Sequence, residues 1–221
     1  MSIKNRALLD GIKLDSIKGI LIDIDDTMYS YEPNHLNGLS ACYKEISKND
    51  NVSLDFDKFK DIYRDSRNKI TVSLSPLSAC RSRALAFELL FSKLGFENAY
   101  VHAINYEKIY WDKFLENIKP HQYILDFLKR CKKKNKLISA VTDMQYFFQV
   151  MKLKKMDVVS QIDFLISSEE AGKEKPHTDI FDLALYKMKL KPNDVIMIGD
   201  SYEKDIIGAN NAGIESIHLQ V

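Results

Sequence analysis

Acidic side chains follow two apolar runs of this sequence, at the point where each run ends. Asp23 and Asp25 lie at and just after the end of the first run, and Asp200 follows the fourth, with Asp205 five residues further on. Carboxylates this close repel one another unless a cation or protons compensate. No histidine–cysteine spacing accompanies them, and oxygen ligands alone suit magnesium better than zinc. The pattern therefore predicts a magnesium site.

Two further polar groups follow other apolar runs. Thr142 ends the second run, with Asp143 beside it and a helix expected just beyond. A hydroxyl beside the exposed backbone amides of a helix N-terminus makes a phosphate site. Lys175 stands in a loop before Pro176, where it can deliver a cation toward the carboxylates. Together these groups form the set that phosphoryl transfer requires, because that chemistry rests on positioning and on neutralising charge.

The elements that must position these residues alternate regularly. Short apolar runs of strand length, most of them apolar on both faces, alternate with helical segments in the second half of the chain. This predicts an α/β fold, with a Rossmann-like sheet of five parallel strands and helices on both faces. Ligands of such a sheet bind beyond the carboxyl ends of the strands. The predicted strands are 19–23, 137–142, 162–166, 195–199 and 214–219, and the predicted helices among them are 122–133, 145–155, 179–188 and 204–212.

The stretch between the first strand and the others has a different pattern. It shows almost no strand signal, and its apolar residues recur at helical spacing, which predicts helices at 35–48, 56–70, 79–94 and 99–118. We interpret residues 31–119 as an inserted all-helical cap domain and residues 1–30 with 120–221 as the α/β core domain. Tyr106, Tyr110 and Trp111 are predicted to lie in the core of the insert.

A cap domain has to recognise the part of the substrate that is not phosphate. Arginine suits anionic or planar groups, and Arg83 near the start of a cap helix is the residue that we expect to bind substrate.

The composition argues against several classes of protein. The chain has 32 basic and 31 acidic residues and a net charge of +1, so no surface for binding nucleic acid is implied. No segment is apolar enough for a secretory signal or a membrane span. The three cysteines are far apart in the sequence and follow no metal or redox spacing. We therefore expect a cytoplasmic protein, monomeric or homodimeric, that does not act at a membrane.

These motifs, in this order, resemble the haloacid dehalogenase-like superfamily, specifically its phosphatase branch with a helical cap of the C1 type. The string from Asp23 to Thr27 matches the DxDxT motif, and Thr142 matches the serine or threonine of the second strand. Lys175 before Pro176 matches the lysine motif, and the string from Gly199 to Asp205 matches GDxxxxD. One short acidic string is weak evidence, but four motifs in order, each after an apolar run, are specific.

The resemblance implies a role for each residue that matches a motif. Asp23 would attack the phosphorus and form an aspartyl phosphate, and Asp25 would act as the acid and then the base. Thr142 and Lys175 would bind phosphate oxygens. Asp143 would either contact the phosphate directly or cap the following helix.

The same resemblance implies a ligand set for magnesium. The ion would be held by the Asp23 carboxylate, the backbone carbonyl of Asp25 and Asp200. Asp205, the last residue of the metal-binding set, would orient Lys175 or a metal-bound water.

The resemblance leaves several activities open. A phosphatase acting on a small soluble metabolite, such as a nucleoside monophosphate or a sugar phosphate, fits best. Haloacid dehalogenases lack an acid two residues after the nucleophile, so Asp25 argues against that chemistry. Phosphonatases use a cap lysine, and no cap lysine is singled out here. A phosphosugar mutase or another transferase uses the same residues, and a catalytically idle binding protein on this fold is the remaining alternative.

Overall fold

The computed structural model describes residues 2–48 and 53–220. The chain divides into two compact units. An α/β unit contains Met1–Ser30 and Lys119–Val221, and a helical unit contains Tyr31–Ile118. Lys119, which the sequence prediction gave to the helical insert, therefore belongs to the α/β unit.

The α/β unit is built on a five-stranded parallel sheet, which confirms the predicted fold class. Its strand order is β3-β2-β1-β4-β5. The chain leaves β1 for β2 on one side and later returns to β4 on the other, so β1 lies at the point where the strand order reverses. The strands are β1 (Gly19–Ile22), β2 (Leu137–Thr142), β3 (Phe164–Ser167), β4 (Val195–Gly199) and β5 (Glu215–His218).

Side chains of the central strands are buried on both faces of the sheet. Leu21 of β1 belongs to a cluster with Val141 of β2 and Met197 of β4, which packs against the helix that contains Phe181. The alternate residues Ile20 and Ile22 point to the other face and are also fully buried. This double burial explains why the runs are apolar at nearly every position.

In the chain order, most helices of the α/β unit lie between two consecutive strands. A helix at the start of the chain, which the sequence prediction did not include, packs against the helix that precedes β2. The helices are α1 (Ser2–Asp10), α6 (Gln122–Lys133), α7 (Tyr146–Lys155), α8 (Ser168–Ala171), α9 (Asp179–Met188) and α10 (Gly208–Asn211).

The helical unit is held together by aromatic side chains. Its helices are α2 (Tyr31–Ile46), α3 (Phe56–Leu74), α4 (Arg83–Lys93) and α5 (Ala99–Glu116). Helix α5 packs against both α2 and α4. Tyr106, Tyr110 and Trp111 are buried on α5, as predicted. Within the described ranges of both units, no helix has the length and apolar character needed to cross a membrane.

Two helices differ from the sequence prediction in a way that has a local cause. The helix expected at 79–94 is interrupted, because Ser82 caps a new helix by accepting a hydrogen bond from the Leu85 amide at 3.2 Å. The helix expected at 204–212 begins earlier, as a π-helical segment at Tyr202–Ile207, and Ser201 caps that segment through the Lys204 amide. Serine side chains thus decide where both helices start.

Candidate active site

The candidate site begins at the carboxyl ends of β1 and β4. These strands pair in parallel, with Ile22 opposite Ile198. The Asp23 amide continues the ladder by donating to the Ile198 carbonyl at 2.9 Å. Asp200 follows the last residue of β4. The parallel pairing therefore brings two aspartates that are far apart in sequence to one edge of the sheet.

A third carboxylate completes this cluster. One carboxylate oxygen each from Asp23, Asp200 and Asp205 lie within 4.8 Å of one another. Asp205 belongs to the π-helical segment and approaches the end of β4 very closely. A Cβ atom at Gly199 would stand 2.2 Å from an Asp205 carboxylate oxygen, so only glycine fits there.

Lys175 is buried against this cluster. Its Nζ donates to Asp23 Oδ1 at 2.7 Å, to Asp205 Oδ1 at 2.5 Å and to the Val141 carbonyl at 3.2 Å. All three donors of the ammonium group are therefore used, and the lysine is held against two carboxylates.

Asp143 interacts with the loop that carries Lys175. Its Oδ1 accepts the Lys175 backbone amide at 2.9 Å, and its Oδ2 accepts Nζ of Lys204 at 2.6 Å. Lys204 also donates to Glu174 at 3.2 Å. The Asp143 side chain thus links the loop of Lys175 to the π-helical segment that contains Lys204, a residue that the sequence analysis does not assign to the site.

Asp25 has a separate set of partners. Lys152 Nζ donates to its two carboxylate oxygens at 2.6 and 2.8 Å, and Gln149 Nε2 donates at 3.0 Å. The Tyr29 hydroxyl forms a further hydrogen bond to Oδ1. Gln149 and Lys152 are three residues apart on α7, which places both on one helical face, and that spacing was the only signal in the sequence for them.

Two threonines are buried at the same edge. The Thr142 hydroxyl accepts a hydrogen bond from Gln149 Nε2 at 2.8 Å and donates to the Asp143 carbonyl at 3.3 Å. The Thr27 hydroxyl donates to Asp200 Oδ1 at 2.9 Å. Thr142 is therefore linked to Asp25 through Gln149, and Thr27 contacts one of the three clustered carboxylates.

The clustered carboxylates shift one another's protonation. Burial raises the pKa of Asp23 well above its ordinary value, and the neighbouring charges of Asp205, Asp200 and Asp25 add to this rise, against the opposing charge of Lys175. Burial also raises the pKa of Asp200 to about 6. Asp25 behaves differently. Although burial would raise its pKa, the charge and hydrogen bonds of Lys152, with those of Tyr29 and Gln149, lower it below 3.8.

The charge balance of the cluster fits a divalent cation. Burial would lower the pKa of Lys175, but the carboxylates of Asp205 and Asp23 raise it well above the ordinary value, so the lysine carries a positive charge. One ammonium group cannot neutralise three carboxylates. The remaining negative charge, presented by oxygen atoms alone, matches the preference of magnesium.

Arg83 lies in the helical unit, in an aromatic setting. Its guanidinium lies 5.3 Å from the Tyr110 ring centroid and 5.9 Å from that of Trp111, and it hydrogen-bonds the Tyr31 hydroxyl. Its Nε is buried and has no hydrogen-bond partner among the described residues. These contacts anchor the side chain in the helical unit, and its predicted role in substrate binding stays a prediction.

Comparison with known proteins identifies the family of this chain. The family model for haloacid dehalogenase-like hydrolases matches residues 20–219. A structure of the putative HAD-hydrolase YfnB from Bacillus subtilis bound to magnesium superimposes with a TM-score of 0.73. The two chains are 18% identical over 92% of this chain and 88% of the other, a likeness that shows the fold.

Two relatives named as phosphatases align with nearly the whole chain. Ribulose-1,5-bisphosphate 5-phosphatase from Halopiger xanaduensis is 26% identical over 90% of this chain and 82% of its own length. Glyceraldehyde 3-phosphate phosphatase from Methanopyrus kandleri is 26% identical over 92% of this chain and 84% of its own length.

Proposed function

Because this chain belongs to the haloacid dehalogenase-like hydrolase family, we propose that it is a magnesium-dependent phosphatase that hydrolyses small phosphomonoesters. The observation that carries the proposal is the contact of Lys175 with both Asp23 and Asp205, within a cluster of three carboxylates. Such a charged, buried group costs folding free energy, and sites that do so are typically functional. The phosphatases among the relatives support the same reaction class.

Asp23 is the nucleophile of the proposed reaction. A carboxylate oxygen of Asp23 attacks the phosphorus, the bond from phosphorus to the ester oxygen breaks, and an aspartyl phosphate forms. Asp25 in its protonated form donates its proton to the departing oxygen, and the carboxylate that results then removes a proton from the water that hydrolyses the intermediate. The different partners of the two carboxylates support this division of labour, since only Asp23 contacts Lys175.

Lys175, Thr142 and Asp143 surround the proposed phosphate position. The Lys175 ammonium neutralises charge on Asp23 and binds a phosphate oxygen in exchange for one of its three present acceptors. The Thr142 hydroxyl binds another phosphate oxygen in exchange for the Asp143 carbonyl. The contacts of Asp143 with the Lys175 amide and with Lys204 favour a role in holding the loop over direct contact with phosphate through its side chain.

Magnesium would be held by Asp23 and Asp200, with the Asp25 backbone carbonyl as a further oxygen ligand. When bound, it supplies positive charge that offsets the phosphate and the clustered carboxylates. Of the two roles open to Asp205, its hydrogen bonds to Lys175 and to the Ser201 amide favour orienting the lysine.

We propose that the substrate is a small sugar phosphate, a class that includes the triose phosphates. The two relatives described above are named for phosphate esters of small sugars. We further propose that the helical unit acts as a cap that selects the substrate, and that Arg83 contributes to this selection. Three buried free cysteines suit the reducing conditions of the cytoplasm, where we expect the enzyme to act.

A panel of phosphorylated metabolites tests the proposal. With magnesium present, we expect release of inorganic phosphate from at least one sugar phosphate, and loss of that activity when EDTA is added in excess. A mutase would convert the ester to an isomer without releasing phosphate. A binding protein would release none from any ester, and full activity in EDTA would contradict the magnesium site.

A further inference from the structure

We infer that Lys152 and Gln149 are positioning residues for Asp25, and that they hold its carboxylate in the one orientation from which it exchanges protons with the reacting oxygens. The inference rests on the proposed function, because it assigns residues to the acid and base of that reaction. Neither residue belongs to the four sequence motifs.

The contacts leave the Asp25 carboxylate little freedom. Lys152 donates to both oxygens at 2.6 and 2.8 Å, Gln149 donates to Oδ2 at 3.0 Å, and the Tyr29 hydroxyl binds Oδ1. Charged hydrogen bonds of this kind are short and directional. A rotation of the Asp25 side chain would break several of these hydrogen bonds at once, so together they fix the orientation of the carboxylate.

Burial explains why Lys152 cannot simply point to solvent. The Lys152 and Gln149 side chains are 0% exposed, and Asp25 is the carboxylate that pairs with the lysine. A buried ammonium group without a counterion is strongly unfavourable. The aspartate and the lysine therefore hold each other in place.

The topology puts this pair beside the reacting groups. Helix α7 begins four residues after Thr142, the last residue of β2, and β2 pairs with β1 through Ala140 and Ile22. Gln149 also donates to the Thr142 hydroxyl at 2.8 Å and to the Asp143 carbonyl at 3.0 Å. One face of α7 thus contacts both the proposed acid and the proposed phosphate-binding hydroxyl.

The dependence on the leaving group tests the inference. An alkyl phosphate needs a proton on its departing oxygen, whereas p-nitrophenyl phosphate does not. In Lys152→Met we expect kcat/KM for the best alkyl ester of the panel to fall about 100-fold, and that for p-nitrophenyl phosphate to fall about 3-fold or less. Gln149→Leu, which keeps the ion pair, should change the ratio of the two rates in the same direction, by about 10-fold.

Controls separate positioning from loss of structure. Lys155→Met changes an exposed lysine of the same helix and should leave both rates unchanged. In an Asp25→Asn background, Lys152→Met should cause no further change in the ratio, because the group that it positions is already disabled. That double variant removes both charges of the ion pair, so it leaves no buried ammonium group without a counterion, and circular dichroism checks the fold of each protein.

Two outcomes would overturn the inference. One is an equal loss of both rates in folded Lys152→Met or Gln149→Leu, and the other is a further change in the ratio when Lys152→Met is added to Asp25→Asn. A failure of the proposed function is distinguishable, because the unaltered protein would then hydrolyse neither ester.

Discussion

At the scale of single residues, two aspartates that are neighbours in sequence meet opposite surroundings. Asp23 contacts Lys175 and lies in the acidic cluster, where burial and like charges raise its pKa. Asp25 is held by Lys152, whose charge lowers its pKa against the effect of burial. Asp26, which lies between Asp25 and Thr27, has a φ of 61°, so the chain turns sharply as it leaves the strand. The two aspartates therefore differ in their partners and in the direction in which their pKa values shift.

Replacing each aspartate by asparagine separates those roles. Asp23→Asn removes the nucleophile, and turnover should fall to background because no covalent intermediate can form. Asp25→Asn keeps the nucleophile but slows hydrolysis of the aspartyl phosphate, by about 100-fold or more. Mass spectrometry of acid-quenched Asp25→Asn protein should then find phosphate on the peptide that contains Asp23. Phosphate on a serine, threonine or histidine would show that the nucleophile is another residue.

At the scale of elements, the site depends on how closely the π-helical segment approaches the end of β4. Because Gly199 has no Cβ atom, the Asp205 carboxylate can lie against the backbone at the end of β4. Asp205 then reaches Lys175, while its other oxygen accepts the Ser201 amide at 3.0 Å. A strand end without a side chain is therefore a requirement of the site's geometry.

Gly199→Ala tests this requirement. The added methyl group must displace Asp205, which releases Lys175 from one of its two carboxylates. We expect kcat to fall at least about 10-fold, since displacements of about 1 Å at a reacting group have effects of this size or larger. Gly11→Ala is the matched control, because a Cβ atom there meets only ordinary contacts of 3.4 Å and beyond. Unaltered kcat in Gly199→Ala would show that the position of Asp205 does not matter.

Helix α2 contains a histidine whose surroundings make the helical unit sensitive to acid. Burial, with the charges of Arg83 and Arg67, lowers the pKa of His35 from 6.5 to about 3. The unfolded chain therefore binds the proton more readily than the folded chain between those values. The resulting contribution to stability is fully present above pH 6.5 and decreases as the pH falls toward 3.

Between pH 7 and pH 5, the unfolding free energy should therefore fall by about 2 kcal/mol more in the unaltered protein than in His35→Asn. The single tryptophan of the chain, Trp111, lies in the helical unit and reports its unfolding in urea by fluorescence. Equal losses in the two proteins would show that His35 is not the group responsible.

At the scale of the whole molecule, the chain contains two units with separate cores. The α/β unit carries the proposed catalytic residues on a sheet that is buried on both faces. The helical unit has an aromatic core of its own, in which Phe87 and Tyr110 are fully buried. With such a division, substitutions in one unit can change which substrate is selected while the catalytic residues of the other unit stay the same.

Removing the helical unit tests that division. A protein in which a short glycine–serine linker replaces residues 31–118 should fold, because the α/β unit keeps its own core. We expect kcat/KM for p-nitrophenyl phosphate to stay within about 10-fold, while the preference for the best metabolite over poor ones falls about 100-fold. Circular dichroism checks the fold of the shortened protein. Retained preference would assign selection of the substrate to the α/β unit.

The sequence by itself determined the fold class and the places where polar groups follow strands. The runs at Leu137–Thr142 and Val195–Gly199 were predicted with the bounds that the structure has, because strands buried on both faces need apolar residues throughout. Asp23 and Asp200 were assigned to one sheet edge because the carboxyl ends of parallel strands lie at the same edge. The catalytic role of Asp23 and the metal-binding role of Asp200 stay predictions, as does the role of Arg83 in binding substrate.

Only the tertiary structure decided which side chains meet. The strand order, the contact of Lys175 with Asp205 and the pairing of Lys152 with Asp25 join residues that are distant in sequence. A local pattern records whether a residue faces the core or solvent, but not which residue of another element it faces there. Lys152 occupies a helical position where a solvated lysine is the ordinary expectation, and only the packing of α7 buries it against a partly exposed carboxylate.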